Sequence, residues 1–168
     1  MRRYAQTLAL PLHTLAILWL GLMAGFFATY SANVNLAMLQ MDGPTYAMVQ
    51  SAFNRNVRHM LFFSFFFGPP VWCGLALLAA CPERRRAWWG LLAAAATIYL
   101  LGIIVFTHQV NLPLNAQTEA WNPQALPPDW ATVRDQWNAA NLMRTLVSFG
   151  AFALALVALA LRAARPQR

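Results

Sequence analysis

The stretch Thr107-His108-Gln109-Val110-Asn111-Leu112-Pro113-Leu114-Asn115 gathers a hydroxyl, a titratable imidazole, carboxamides and a helix-stopping proline directly behind an apolar run from Ala87 to Phe106. A second polar set, Trp137, Asn138, Asn141, Arg144, Thr145 and Ser148, opens another apolar run. On a helix, Asn138, Asn141, Thr145 and Ser148 share one face at spacings of three and four. His108, Asn111 and Asn115 do likewise if the helix persists through Pro113. An imidazole exchanges protons, and amides and a guanidinium donate hydrogen bonds. At the mouth of a membrane helix such groups are costly unless they meet water, a neighbouring helix or a ligand. They read as walls of a pocket where a bilayer ends.

More polar side chains are expected at that level. Tyr30 and Asn33 close the first apolar run, Gln50 and Asn54 come from a short connecting helix, and Arg58 and His59 precede the second run. Each has a structural reading. Asn side chains cap helices or bridge neighbouring spans, Arg144 can snorkel or pair with Asp135 or Asp129, and His108 can bond a carbonyl. Their concentration on one side of the bilayer is the argument for a shared cavity. Metal binding needs several converging His, Cys or carboxylate ligands; His59 and His108 could meet, even over a haem, but His13 lies elsewhere and no HxxxH or CxxC spacing occurs. No metal site is expected, and GxSxG, a phosphate-cradling glycine loop and paired carboxylates near the polar cluster are also missing.

The elements that must position these groups follow from composition. Of 168 residues, 60% are hydrophobic and only 10% charged, against about 25% charged in soluble domains. The chain lacks the polar surface of a water-soluble globule. A net charge of +7 comes from Arg alone and sits at the ends of apolar runs, which fits membrane flanks rather than nucleic-acid binding. Spans are expected at about 8–30, 60–80, 87–108 and 142–161, each near the ~20 residues a bilayer needs. Together they make residues 1–168 one all-α, integral membrane four-helix bundle, with a short interfacial helix in each of two long outward loops.

Within that frame, the first run is read as a retained span rather than a cleaved signal peptide. It is longer than a usual signal core, and Gly21, Gly25, Thr29 and Asn33 form a small and polar stripe suited to close helix approach or dimerisation. Asp42 or Thr45 is the candidate cap of a helix from Tyr46 to Val57, whose line Tyr46, Gln50 and Asn54 faces a cavity or water if the helix lies at the interface. An ordinary surface helix is the alternative. Gly68-Pro69-Pro70 must bend the second span, and Phe62, Phe63, Phe65, Phe66 and Phe67 are read as lipid-facing and packing residues. Trp88 and Trp89 are placed at headgroup level, and Cys73 and Cys81 are read as buried thiols. Leu112 to Asp129 is read as a loop, with Asp129 capping the helix that leads into the fourth span.

Arg2, Arg3, Arg84, Arg85, Arg86, Arg162, Arg165 and Arg168 fall on one side of this topology. Arg55, Arg58, Arg134 and Arg144 fall on the other, matched by Asp42, Glu119, Asp129 and Asp135. The positive-inside rule then puts both termini in the cytoplasm, as for a bacterial inner-membrane protein, and the long loops outside.

Asp42-x-x-x-Tyr46-x-x-x-Gln50-x-x-x-Asn54, Thr107-x-x-x-Asn111-x-Pro113-x-Asn115 and Trp137-Asn138-x-x-Asn141-x-x-Arg144-Thr145, with Gly25 through Asn35 closing span one, resemble the anthrone-oxygenase-like family of small four-helix membrane proteins. The resemblance covers nearly the whole chain. It implies oxidation of an anthrone, or a similar planar aromatic or quinol, by molecular oxygen without metal or flavin, because the deprotonated substrate supplies the electrons. Such a site needs a base, donors for the developing oxyanion and a dry aromatic slot. That chemistry assigns the base to His108, the donors to Asn111, Asn115, Asn141 and Arg144, and the walls to Trp137 and Tyr30, with Asn33, Gln50, Asn54 and Asn138 as further substrate contacts. The partners expected are a hydrophobic small molecule and the lipid bilayer. The competing reading is a non-catalytic membrane protein that binds a lipid-like molecule or an envelope partner.

Overall fold

Four apolar helices run over Leu8–Met38, Met60–Ala79, Ala87–Glu119 and Trp130–Ala163 in a computed structural model that describes residues 2–164. Arg165, Arg168 and the side chains of Arg2 and Arg3, on which part of the charge argument rests, lie outside the described part. Each helix is long and apolar enough to cross a membrane. The protein is an all-α, multi-pass bundle.

Helix α1 (Arg2–Thr29) passes through a π-helical turn (Tyr30–Val34) into α2 (Asn35–Met38) as one rod. Helix α3 (Gly43–Asn56) lies across the end of the bundle, with the Asp42 carboxylate accepting a capping bond from the Thr45 N–H at 2.9 Å. Helix α4 (Met60–Ala79) returns, and α5 (Ala87–Tyr99) rises through two π-helical segments (Leu100–Val105 and Thr107–Asn111) into α6 (Leu112–Glu119). Helix α7 (Trp130–Ala163) completes an up-down ring in which α1 packs on α4 and α7, and α5 on α4 and α7.

The stretch read as a loop from Leu112 is helical to Glu119. Pro113 stands just past the Thr107–Asn111 π segment in a rod that runs on from Ala87 to Glu119, so the helix continues through the N–H it lacks instead of ending there. Asp129 occupies the N-cap position of α7 but its side chain makes no capping bond. Helix α4 runs on through Pro69 and Pro70. The Phe66 carbonyl, which a residue other than proline at 70 would satisfy, instead accepts the buried Tyr99 hydroxyl at 3.0 Å. Gly68 lets the Trp19 ring close on the same helix, since a β-carbon there would stand 2.1 Å from Trp19 Cδ1.

Tight packing at the Pro82–Arg86 end comes chiefly from alanine. Ala151, Ala155 and Ala158 of α7 are fully buried with Ala9, Ala16, Ala76, Ala80 and Ala95, and such small side chains let helix backbones approach. In the proposed glycine stripe, Gly21 faces Phe152 but Gly25 faces open space and Asn33 is exposed. Two further expectations fail at the same end. Trp88 does not present its ring to lipid headgroups but is fully buried, stacked on His13 with the Arg162 guanidinium 4.4 Å over its ring. Cys73 is buried, but Cys81 is exposed at the turn where the packing ends.

Candidate functional site

The face of α7 that turns inward changes character along its length. Toward the Pro82–Arg86 end it is alanine; toward the other end it carries Trp137, Asn141, Arg144, Thr145 and Ser148, all buried. Bulky polar side chains hold the rods apart where alanine lets them close. The result is a cavity of about 490 Å³ between the polar half of α7, the end of α1, α3, α4 and the π segments after α5. That size suits a drug-sized organic ligand, for which pockets run from about 300 to 1,000 Å³.

The floor is a fixed cation. Arg144 is 8% exposed, donates from Nη2 to Asn141 Oδ1 at 2.8 Å, and lies 4.7 Å from the Phe27 ring centre and 5.8 Å from that of Trp137. Asn141 in turn donates to Ser31 Oγ at 2.9 Å, and that hydroxyl bonds Thr145 Oγ1 at 2.9 Å. Both ends of the Asn141 amide are therefore spent on holding Arg144 and the α1–α7 seam. The pairing of outer charges is only partly as expected: Arg58 pairs with Glu119 and Arg134 with Asp135, Arg55 bonds Ser51, and Asp42 caps α3. Arg144 has no carboxylate partner among the described residues, and its Nε–H meets no acceptor. A buried cation left this way is expensive without a compensating anion or dipole.

The roof is a chain of hydrogen bonds. The Tyr30 hydroxyl donates to Gln50 Oε1 at 2.9 Å, Gln50 Nε2 to Asn54 Oδ1 at 3.1 Å, and Asn54 Nδ2 to Thr118 Oγ1 at 3.0 Å. Thr118 donates to the Asn115 carbonyl at 3.0 Å, and Trp137 Nε1 donates to Asn115 Oδ1 at 2.6 Å. This leaves the Asn115 side-chain N–H groups without a protein acceptor at the cavity wall. The roof depends on α3 being inside out. Tyr46, Gln50 and Asn54 are buried against the bundle while Met48 and Phe53 are exposed, the arrangement expected of a helix whose apolar side lies on a membrane surface. Burial also raises the Tyr46 phenol above its ordinary pKa.

The structure brings Tyr30, Gln50, Asn54, His108, Asn115, Trp137, Asn141 and Arg144 to one cavity, together with Thr107 and Arg58. Asn33, Asn111 and Asn138 are not on its wall. Asn33 turns outward on the π turn after α1. Asn111 is fully buried with both amide atoms unpartnered, and Asn138 is half-buried with an unpartnered oxygen. A π segment explains Asn111, because the added residue in the turn rotates it out of the α-helical register; Asn33 follows Gly25 and Thr29, which already face outward before the π turn. His108 is exposed at the cavity's edge. His59 caps α4 through Nδ1, which accepts the Phe62 N–H at 3.3 Å, and it does not line the cavity. Among the described residues, no three His, Cys, Asp or Glu side chains gather as a metal-ligand set.

Sequence reasoning missed the aromatic wall. Phe62, Phe63, Phe66 and Phe67 line the cavity with Phe26, Phe27 and Phe53; Phe62 and Phe66 also pack in the core, Phe63 and Phe67 are also exposed, and Phe65 is off the cavity wall, edge-on to Trp19. A run of adjacent phenylalanines points in all directions around a helix, so the run itself names no face.

A protein-family model described as anthrone oxygenase matches residues 60–154. The chain belongs to that family. The match spans α4 to most of α7, so His108, Asn115, Trp137, Asn141 and Arg144 fall inside it, whereas Tyr30, Gln50 and Asn54 fall outside. No curated protein and no solved structure matches the chain. For this anthrone-oxygenase family member, the cavity combines a ring-lined slot, an uncompensated cation, an open amide donor and an imidazole at the rim.

Proposed function

We propose that the protein is a membrane oxygenase that oxidises a planar, anthrone- or quinol-like aromatic held in this cavity, at the outer interface of a bacterial inner membrane with both termini cytoplasmic. The observation that carries the reading is the Arg144 guanidinium, without a carboxylate partner among the described residues, at the base of a cavity that phenylalanines wall along α4. An aromatic ketone that becomes an oxyanion on losing a ring proton is the ligand that such a slot stabilises best.

In the reaction, His108 accepts a proton from the substrate's central methylene carbon. The resulting negative charge moves onto the ring oxygen, toward the Arg144 N–H and the free Asn115 amide. Molecular oxygen takes the electrons from that anion. One oxygen atom becomes the new ring carbonyl; the other leaves as water with the two methylene hydrogens. The substrate anion is the reductant, so the balance closes without a further cofactor.

Oxygen uptake by the purified protein with anthrone tests this. Uptake of one O₂ per anthrone above the detergent control is expected, and His108→Ala should abolish it while leaving the folded protein abundant. No uptake above the control removes anthrone as substrate. Tight binding of aromatics without turnover would favour the non-catalytic, lipid-like ligand reading instead.

A further inference from the structure

The cavity is closed on most sides by contacts that can be named. Phe26 of α1 packs at a tilt against Phe62 of α4, ring centres 5.4 Å apart. The α1–α7 seam is bridged by Asn141 and Ser31, and Gly102 leaves room for Val147 where the α5 rod meets α7. Toward the loops, Asn54 is bonded to Thr118 and Arg58 is paired with Glu119. This polar stitching joins α3 to α6 across the direction from which water would come.

One seam differs. Helix α4 packs against Ala87–Tyr99 but hardly touches the π segments that follow. Phe63 and Phe67 on one side of that gap and Leu112 on the other line the cavity and are still 39%, 47% and 45% exposed. Ile104 of the α5 rod is also on the cavity wall. Phe67 is about 10 Å of helix rise below Met60, so the gap lies within the apolar length of α4 and faces hydrocarbon. Its edge is two π-helical segments, a geometry that recurs where helices serve a function.

We infer that this gap, between Phe63 and Phe67 of α4 and Ile104 and Leu112 of the α5 rod, is a lateral portal through which a planar weakly acidic aromatic passes from the bilayer to Arg144. The inference rests on the aromatic-substrate reading above and adds the route. A ring system dissolved in the bilayer slides edge-on between phenylalanine faces without crossing the hydrogen-bonded roof. Its acidic oxygen meets the buried cation only at the end of the path, where charge complementarity holds it.

Binding kinetics in phosphatidylcholine nanodiscs decide the matter, with 1,8-dihydroxyanthraquinone as probe and quenching of tryptophan fluorescence as the signal. Ile104→Phe, alone and with Leu112→Phe, should narrow the portal and slow binding and release by about tenfold each, leaving affinity within about threefold. Phe67→Ala should speed both, so the inference survives a poorly folding narrowed variant. Glu119→Gln loosens the roof and should leave both rates unchanged. Faster binding in Glu119→Gln with no effect of the portal variants would overturn the lateral route and leave the aromatic-ligand reading standing. No binding by the unaltered protein would overturn both.

Discussion

Replacing Arg144 by methionine separates function from stability most sharply. The side chain is 8% exposed and has no carboxylate partner among the described residues. Its favourable contacts are one charge-assisted bond to Asn141, of about 1.5–3 kcal/mol, and two ring contacts of about 0.5–2 kcal/mol each. Against them stands a desolvation penalty of several kcal/mol for the buried cation. The two sides nearly cancel, and even whole buried ion pairs, whose attraction Arg144 lacks, are often replaced by apolar residues at no cost or with a gain of about 1–4 kcal/mol. Arg144→Met should therefore keep or raise the Tm, at about 2–4 °C per kcal/mol for a chain this size. Turnover should fall about 10²–10³-fold, the usual loss on removing an oxyanion donor. Thermal unfolding in detergent and oxygen uptake with anthrone read the two effects. A Tm lowered by roughly 6–12 °C (about 3 kcal/mol) with undiminished turnover per folded molecule would refute the reasoning and make Arg144 a structural residue.

Three other perturbations test the frame around the site. Tyr99→Phe strands the Phe66 carbonyl beside Pro70 and should cost about 1–3 kcal/mol; Pro70→Ala in the same protein restores an N–H and should return most of the lost Tm, which a merely additive pair would not show. Gly68→Ala drives a β-carbon into Trp19 and should cost about 1–3 kcal/mol, relieved in part by Trp19→Leu; an unchanged Tm for Gly68→Ala would contradict the close approach. The Thr45 hydroxyl and N–H hold the Asp42 carboxyl below its ordinary pKa. Its contribution is complete above the unfolded carboxylate value and fades as pH falls through the lower folded value. In Asp42→Asn, which caps without titrating, that fading should be missing from Tm measured across the acid range.

Much of the site was legible because polar residues inside apolar runs have few reasons to be there. His108, Asn115, Asn141 and Arg144 were identifiable from type and spacing, and they share one cavity. Asn111 was misplaced because a stripe extrapolated at α-helical period fails across a π segment, and nothing in Thr107–Asn111 announces one; Asn33 was misplaced because its stripe, at Gly25 and Thr29 already, faces outward. Pro113 suggested a stop, but the rod continues through it from Ala87 to Glu119, directly after a π-helical segment that only the structure reveals. Trp88 carried the mark of a headgroup anchor, yet His13 and Arg162 enclose it.

By itself, the sequence determined that the chain crosses a membrane four times and that its polar groups collect at one end. Both are sums over local composition: apolar length decides a span, and the positions of Arg, Asn and His along it are read directly. Which face of each rod turns inward was decided by the tertiary structure, because rotation depends on the neighbour. Alanines of α7 close the bundle below Ser148, Asn141 and Arg144 hold it open above, and four phenylalanines of α4 become a cavity wall because α4 packs on the α5 rod up to Tyr99 and hardly touches it beyond. A helix's own residues set its length, but its rotation is set by the helices against which it packs.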